Sequence, residues 1–130
     1  MMADAMTEKT RKKRSPAKAD PKSLARAAYW YLERFATSAE NLRRVLMRRV
    51  EKSAIAHATD RSDGADAIDA IIRRLLDDGL LDDGAYAEAR ARVLRAAGKP
   101  ARAIKWVLAG KGVGAETIER AIAAIDAENA

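Results

Sequence analysis

The sequence has no cysteine, three prolines, seven glycines and 5% aromatic residues in 130 positions. The missing cysteine excludes disulfides and thiolate metal sites. A single histidine, His57, excludes a His-pair metal site, and no Cys-His dyad can form. No apolar run approaches the roughly 20 residues of a membrane span, and the charged N-terminus lacks the apolar core of a secretory signal. A cytoplasmic protein with no membrane contact is expected. Strand-favouring Val, Thr and Phe are scarce, while the strong helix formers Ala, Leu, Arg and Glu dominate. The fold class expected is all-α.

Hydrophobic residues make up 48%, but Ala leads them, so a few Leu, Ile and Val must supply most of the core. The net charge is +6 and is unevenly spread. Residues 24–52 carry seven basic against three acidic side chains, and 86–111 carry seven against one. Residues 53–85 carry three basic against eight acidic, and 112–130 one against four. Such blocks point to a polyanionic or acidic partner.

Residues 1–22, with two prolines and the run Arg11–Arg14, read as a disordered basic arm. A helix starts near Ser23 and carries Leu24, Ala28, Tyr31 and Phe35 at helical spacing. Thr37 and Glu40 form a capping-box pattern for a second helix with Leu42, Val45, Leu46 and Val50 inward. Residues 53–65 read as an irregular loop with room for an extra helical turn, and a third helix runs from about Asp66 with Ile68, Ile71, Ile72, Leu75 and Leu76. Tyr86, Ala89, Val93 and Ala97 mark the inner face of a fourth helix, ended by Gly98. Pro100 suits the first turn of a fifth helix, with Ile104, Val107 and Leu108 inward; Ile118, Ala121, Ile122 and Ile125 belong to a sixth.

The stretch LLDDGLLDDG (Leu75–Gly84) resembles an acidic metal loop. An EF-hand begun at Asp77 would need oxygen ligands at Gly79 and Leu81, and glycine where Asp82 stands, so no metal site is expected. The first copy reads as a helix stop at Gly79, the second as a helix start at Asp82 or Asp83. Leu80 and Leu81 are expected to pack the corner between. No nucleophile–base pairing, cofactor fingerprint or catalytic residue stands out, because the glycines at 110, 112 and 114 follow a helix rather than a strand.

A shift of 62 places Leu42 on Ile104, Val45 on Val107, Leu46 on Leu108 and Arg43 on Lys105. A shift of 50 places Ile68 on Ile118, Ile72 on Ile122 and Leu75 on Ile125, the twelve-residue difference being assigned to the loop before the third helix. Two three-helix repeats are expected, residues 23–80 and 81–130, in an elongated tandem array of about six helices. Their basic residues are the candidate contacts: Arg43, Arg44, Arg48 and Arg49 in the first, and Arg90, Arg92, Lys99, Arg102 and Lys105 in the second. The stripe is either a phosphate-neutralising surface or a solvated face. Trp106, beside Lys105, either anchors a partner or fills the gap between repeats.

Three segments carry a resemblance to a known family. YLERFATSAENLRRVL (Tyr31–Leu46), GLLDDGAYAEARARVL (Gly79–Leu94) and KPARAIKWVLAGKGV (Lys99–Val113) together resemble RecX, the bacterial regulatory family that modulates the RecA recombinase. The resemblance implies a curved array of three-helix repeats docked in the groove of the RecA–DNA filament. It implies contacts to protein and DNA, no enzymatic activity, and inhibition of strand exchange, ATP hydrolysis and the coprotease activity of the SOS response. The family carries a third repeat where two are read here. A monomer is expected. The alternatives are a stand-alone helical nucleic-acid-binding module and an inactive two-repeat remnant.

Overall fold

The computed structural model describes residues 16–130, and its described residues are helices and their connections only. The order is α1 (Pro21–Arg34), α2 (Ala39–His57), α3 (Arg61–Asp77), α4 (Asp83–Ala96), α5 (Ala101–Gly110) and α6 (Ala115–Glu128). They form two triplets in tandem. Leu24, Ala28, Leu42, Leu46, Val50, Ile68, Ile72 and Leu75 close the first core. Ala87, Ala91, Ile104, Leu108, Ile118, Ile122 and Ile125 close the second. Each buried Leu or Ile contributes about 1.5–3 kcal/mol, so a handful of large side chains holds each triplet.

The repeat is visible in the helix bounds. Shifting α1 by 62 gives the bounds of α4, and shifting the start of α2 gives the start of α5. The extra length of the first repeat is not the loop expected over 53–65. It is helix: α2 has 19 residues and α5 has 10. The Ala-rich end of α2 continues to His57, Ala58 turns the chain with a positive φ of 55°, and Asp60 caps α3 through the Ser62 and Asp63 N–H groups. Gly64 makes the join tight, since a Cβ there would lie 2.6 Å from a Val50 methyl.

The strap Pro16–Ala19 lies against this extension. The Ala19 N–H donates to the buried Ser53 Oγ at 2.9 Å, and His57 Nε2 bonds the Pro16 carbonyl at 2.6 Å. His57 is thus a half-buried helix-end residue, not a loop residue in solvent. The basic run Arg11–Arg14 lies outside the described residues. α1 begins two residues before Ser23, because Pro21 suits a first turn and Asp20 forms a capping box with Ser23. The Ser23 backbone N–H holds the Asp20 carboxyl below its ordinary range.

Two other local expectations shift by one residue. The cap of α2 is Ser38, not Thr37: its Oγ accepts the Asn41 N–H at 3.1 Å, and Glu40 turns to Arg43 and Arg44 instead. The inner face of α4 is Ala87 and Ala91, with Tyr86 and Leu94 at its edges, while Ala89 and Val93 face solvent. Alanine runs round α4, so its sequence marks no single face. The two small side chains let α6 pack closely.

The LLDDG pair splits as read. Gly79, at φ 75°, closes α3 with its own N–H on the Leu76 carbonyl and the Leu80 N–H on the Leu75 carbonyl. Leu81 is buried in the first core, whereas Leu80 is exposed. Asp82 caps α4 by accepting the Ala85 N–H at 3.0 Å.

The triplets meet through backbone and short side chains. Asp83 accepts the Ala39 N–H at 2.8 Å, Ser38 Oγ donates to the Lys111 carbonyl, and Arg44 Nη1 donates to the Gly110 carbonyl at 2.8 Å. Gly112, at φ 80°, passes so close to α2 that a Cβ would lie 2.5 Å from Cβ of Glu40.

Candidate nucleic-acid and partner interface

The alternating charge blocks have a structural cause. The third helix of each triplet carries carboxylates that pair with cations on the helices before it. Arg43 pairs with Glu40 and with Asp69 of α3. Lys105 pairs with Glu119 of α6 at 2.8 Å. The shift of 62 carries Arg43 to Lys105 and the shift of 50 carries Asp69 to Glu119, so these are one ion pair made twice. Arg92 forms a two-pronged pair with Glu128 at 2.7 and 3.1 Å, holding that carboxyl below its ordinary range. Arg95 pairs with Asp126. The same pairing lowers Glu51 beside Arg61. All these groups are substantially solvated, so such pairs add little to stability.

The ten candidate residues therefore divide. Arg43, Arg92 and Lys105 are spent on internal carboxylates, and Arg44 braces the junction. Among the described residues Arg48, Arg49, Arg90, Lys99 and Arg102 make no ion pair. Trp106 does not fill the gap between triplets. It is 80% exposed.

Four of the unpaired cations, Arg48, Arg49, Lys99 and Arg102, line concave surface. A cleft of about 410 Å³ lies where the strap crosses α2, with Lys18, Arg48, Arg49 and Lys52 around an apolar floor of Leu24 and Val45. No acidic side chain lines it. In the second triplet Trp106 stands between two shallow clefts. Lys99, Arg102 and Leu94 line one, of about 400 Å³; Lys111 and Gly110 line the other, of about 580 Å³. Val45 and Arg49 match Val107 and Lys111 under the shift of 62, so the α2 cleft and the Lys111 cleft are counterparts. Arg44 connects them, lying one turn before Arg48 and touching Gly110.

Lys18, Lys52 and Lys111 are additions to the residues expected from sequence. Lys52 was legible, being one turn beyond Arg48 on the same helix face. Lys18 was not, because only the strap's bonds to Ser53 and His57 bring it to α2. A second exposed feature lies on α1, where Tyr29, Trp30 and Phe35 are each about half exposed and the Arg34 guanidinium sits 4.2 Å from the Trp30 ring centre. Among the described residues no His, Cys, Asp or Glu cluster could hold a metal ion, and no helix is long and apolar enough to cross a membrane.

Comparison with known proteins matches this architecture. No solved structure matches the chain. The family description "RecX, second three-helix domain" matches residues 82–122, from the cap of α4 into α6. The protein described as "Regulatory protein RecX" from Myxococcus xanthus is 39% identical over 116 residues, which is 89% of this chain. The chain spans 62% of that relative's length. The match extends well beyond the second triplet, and it agrees with the tandem helical repeat and with the motifs at Tyr31–Leu46, Gly79–Leu94 and Lys99–Val113. The second triplet thus matches the RecX family, and the chain is similar to a RecX regulatory protein along most of its length.

Proposed function

We propose that the chain is a non-enzymatic, monomeric, cytoplasmic regulator that binds the RecA–DNA filament and lowers recombinase, ATPase and coprotease activity in DNA repair and the SOS response. The observation that carries this reading is the 39% identity to a regulatory protein along most of the chain. The two triplets, residues 23–80 and 81–130, act as successive docking units. The unpaired cations on both give the charge that a polyanionic filament attracts. Arg48 and Arg49 are the central contacts of the first unit, and Lys99, Arg102 and Trp106 those of the second, with Arg90 at the edge.

Co-sedimentation with RecA filaments formed on single-stranded DNA tests the docking. The wild-type chain is expected to pellet with filaments. Arg48→Glu with Arg49→Glu should weaken the association at least about tenfold, since like charge at a contact surface costs several kcal/mol. Circular dichroism should show unchanged helicity, because both side chains are exposed. Undiminished co-sedimentation of the double variant would remove these residues from the contact surface.

A further inference from the structure

The first triplet receives the second on one face, built from the end of α1 and the start of α2. Ser38 Oγ donates to the Lys111 carbonyl, the Ala39 N–H donates to Asp83, Glu40 lies against Gly112, and Arg44 reaches Gly110. Tyr31 borders the same face: burial raises the pKa of Tyr86 on α4, and the nearby Tyr31 adds to the rise. The shift of 62 carries Ser38, Ala39, Glu40, Arg44 and Tyr31 to Pro100, Ala101, Arg102, Trp106 and Val93. The second triplet therefore repeats the face, and among the described residues nothing lies over it. Trp106 and Val93 are the two large apolar side chains that α4–α6 leave exposed, at 80% and 59%, and both are counterparts of junction residues.

The residues that differ between the two faces define what the second one takes. An indole replaces Arg44, and beside it Leu94, Ala103 and Val107 line a cleft of about 400 Å³. Lys99 and Arg102 replace Thr37 and Glu40, and neither makes an ion pair among the described residues. An aromatic anchor flanked by cations fits a protein surface that brings an apolar side chain and carboxylates. The internal junction sets the register, since Asp83 stands in the first turn of α4. A second copy of the chain does not fit. Its Asp83 and Gly112 are already seated on its own α2, and its first triplet has Pro21 where the second has Asp83.

We propose that the Trp106 face docks a different polypeptide, one that presents a carboxylate in the first turn of a helix with an apolar side chain beside it. The apolar side chain fills the cleft between Leu94 and Trp106, and the carboxylate meets Lys99 and Arg102. The filament reading supplies that polypeptide, the recombinase itself, so this inference rests on it and assigns the second triplet to protein rather than to the strand.

The sequence has no cysteine, so Lys99→Cys gives a single attachment point for a benzophenone maleimide at the edge of the cleft. The labelled full chain is pelleted with RecA filaments on single-stranded DNA and irradiated. The adduct is expected on RecA, where a helix begins with Asp or Glu. In the unlabelled chain Trp106→Ala should weaken co-sedimentation at least about 30-fold, the loss of an interface anchor. Its circular dichroism should be unchanged, because the indole is exposed. An adduct on the strand, on a second copy of the chain, or on RecA away from any acidic helix start overturns the contact. So does a pelleted chain with no adduct, or undiminished co-sedimentation of Trp106→Ala. A wild-type chain that stays in the supernatant overturns the filament reading and this contact with it, whereas the other failures occur with the chain in the pellet and overturn the contact alone.

Discussion

Replacing Gly112 with alanine is expected to lower stability by about 2–5 kcal/mol, from two causes acting at one atom. The backbone there has φ 80°, a left-handed conformation that costs a side-chain-bearing residue about 1–2 kcal/mol. The new methyl would also lie 2.5 Å from Cβ and Cγ of Glu40, and relieving that overlap costs typically 1–3 kcal/mol. Glu40 Cβ is fixed to the α2 backbone in its first turn, so it cannot swing away as a side-chain tip would. Two control positions separate the causes. Gly79→Ala meets no atom within 4 Å but keeps φ 75°, and should lose only about 1–2 kcal/mol. Gly110→Ala has open space and lies within α5, so it should be neutral or gain up to about 1 kcal/mol. Urea unfolding of the three variants checks the order. A Gly112→Ala loss no larger than that of Gly79→Ala would mean that α2 does not lie against the α5–α6 turn.

Leu46→Ala and Leu108→Ala should each destabilise by about 2–5 kcal/mol, since both leucines are fully buried and truncation leaves a cavity. They occupy the same place in the two triplets under the shift of 62. The effects should also be local. The two cores share no buried residue, and the triplets join through a few hydrogen bonds at Ser38, Ala39 and Arg44. In tandem repeats stability is approximately a sum of unit terms and interface terms. Amide hydrogen exchange should therefore rise most across α1–α3 in Leu46→Ala and across α4–α6 in Leu108→Ala. Equal loss of protection in both triplets from either variant would show one cooperative unit instead.

The sequence was most informative where large apolar residues recur among polar ones. Ile104 and Leu108 in α5, and Ile118, Ala121, Ile122 and Ile125 in α6, are buried as their spacing indicates. It was least informative where alanine obscures the period. The inner face of α4 falls on Ala87 and Ala91, which no hydrophobicity argument separates from Ala89. The stretch SAIAHATDRSDGA looks irregular because of its polar residues, yet its first half is good helix material. The contact of Val50 with Gly64 and the bonds of Ser53, which reward the longer helix, are tertiary.

For the interface, the type of residue was legible and its availability was not. Arg43 and Lys105 look as free as Arg48 on a linear reading. Only folding brings Asp69 and Glu119 to them. The signal exists in the repeat, since the shift that aligns the third helices also aligns these two acids. The cleft at the strap left no such trace. Lys18 belongs to a segment with tail-like composition, and its place is set by Ser53 and His57, far along the chain.

RecA-dependent ATP hydrolysis on single-stranded DNA, with the purified chain titrated in, reads out regulation of the filament. Hydrolysis should fall progressively and level off near stoichiometric ratios. Arg48→Glu with Arg49→Glu should shift the titration to higher protein concentration. Unchanged hydrolysis at stoichiometric excess of the folded wild-type chain would contradict that regulation.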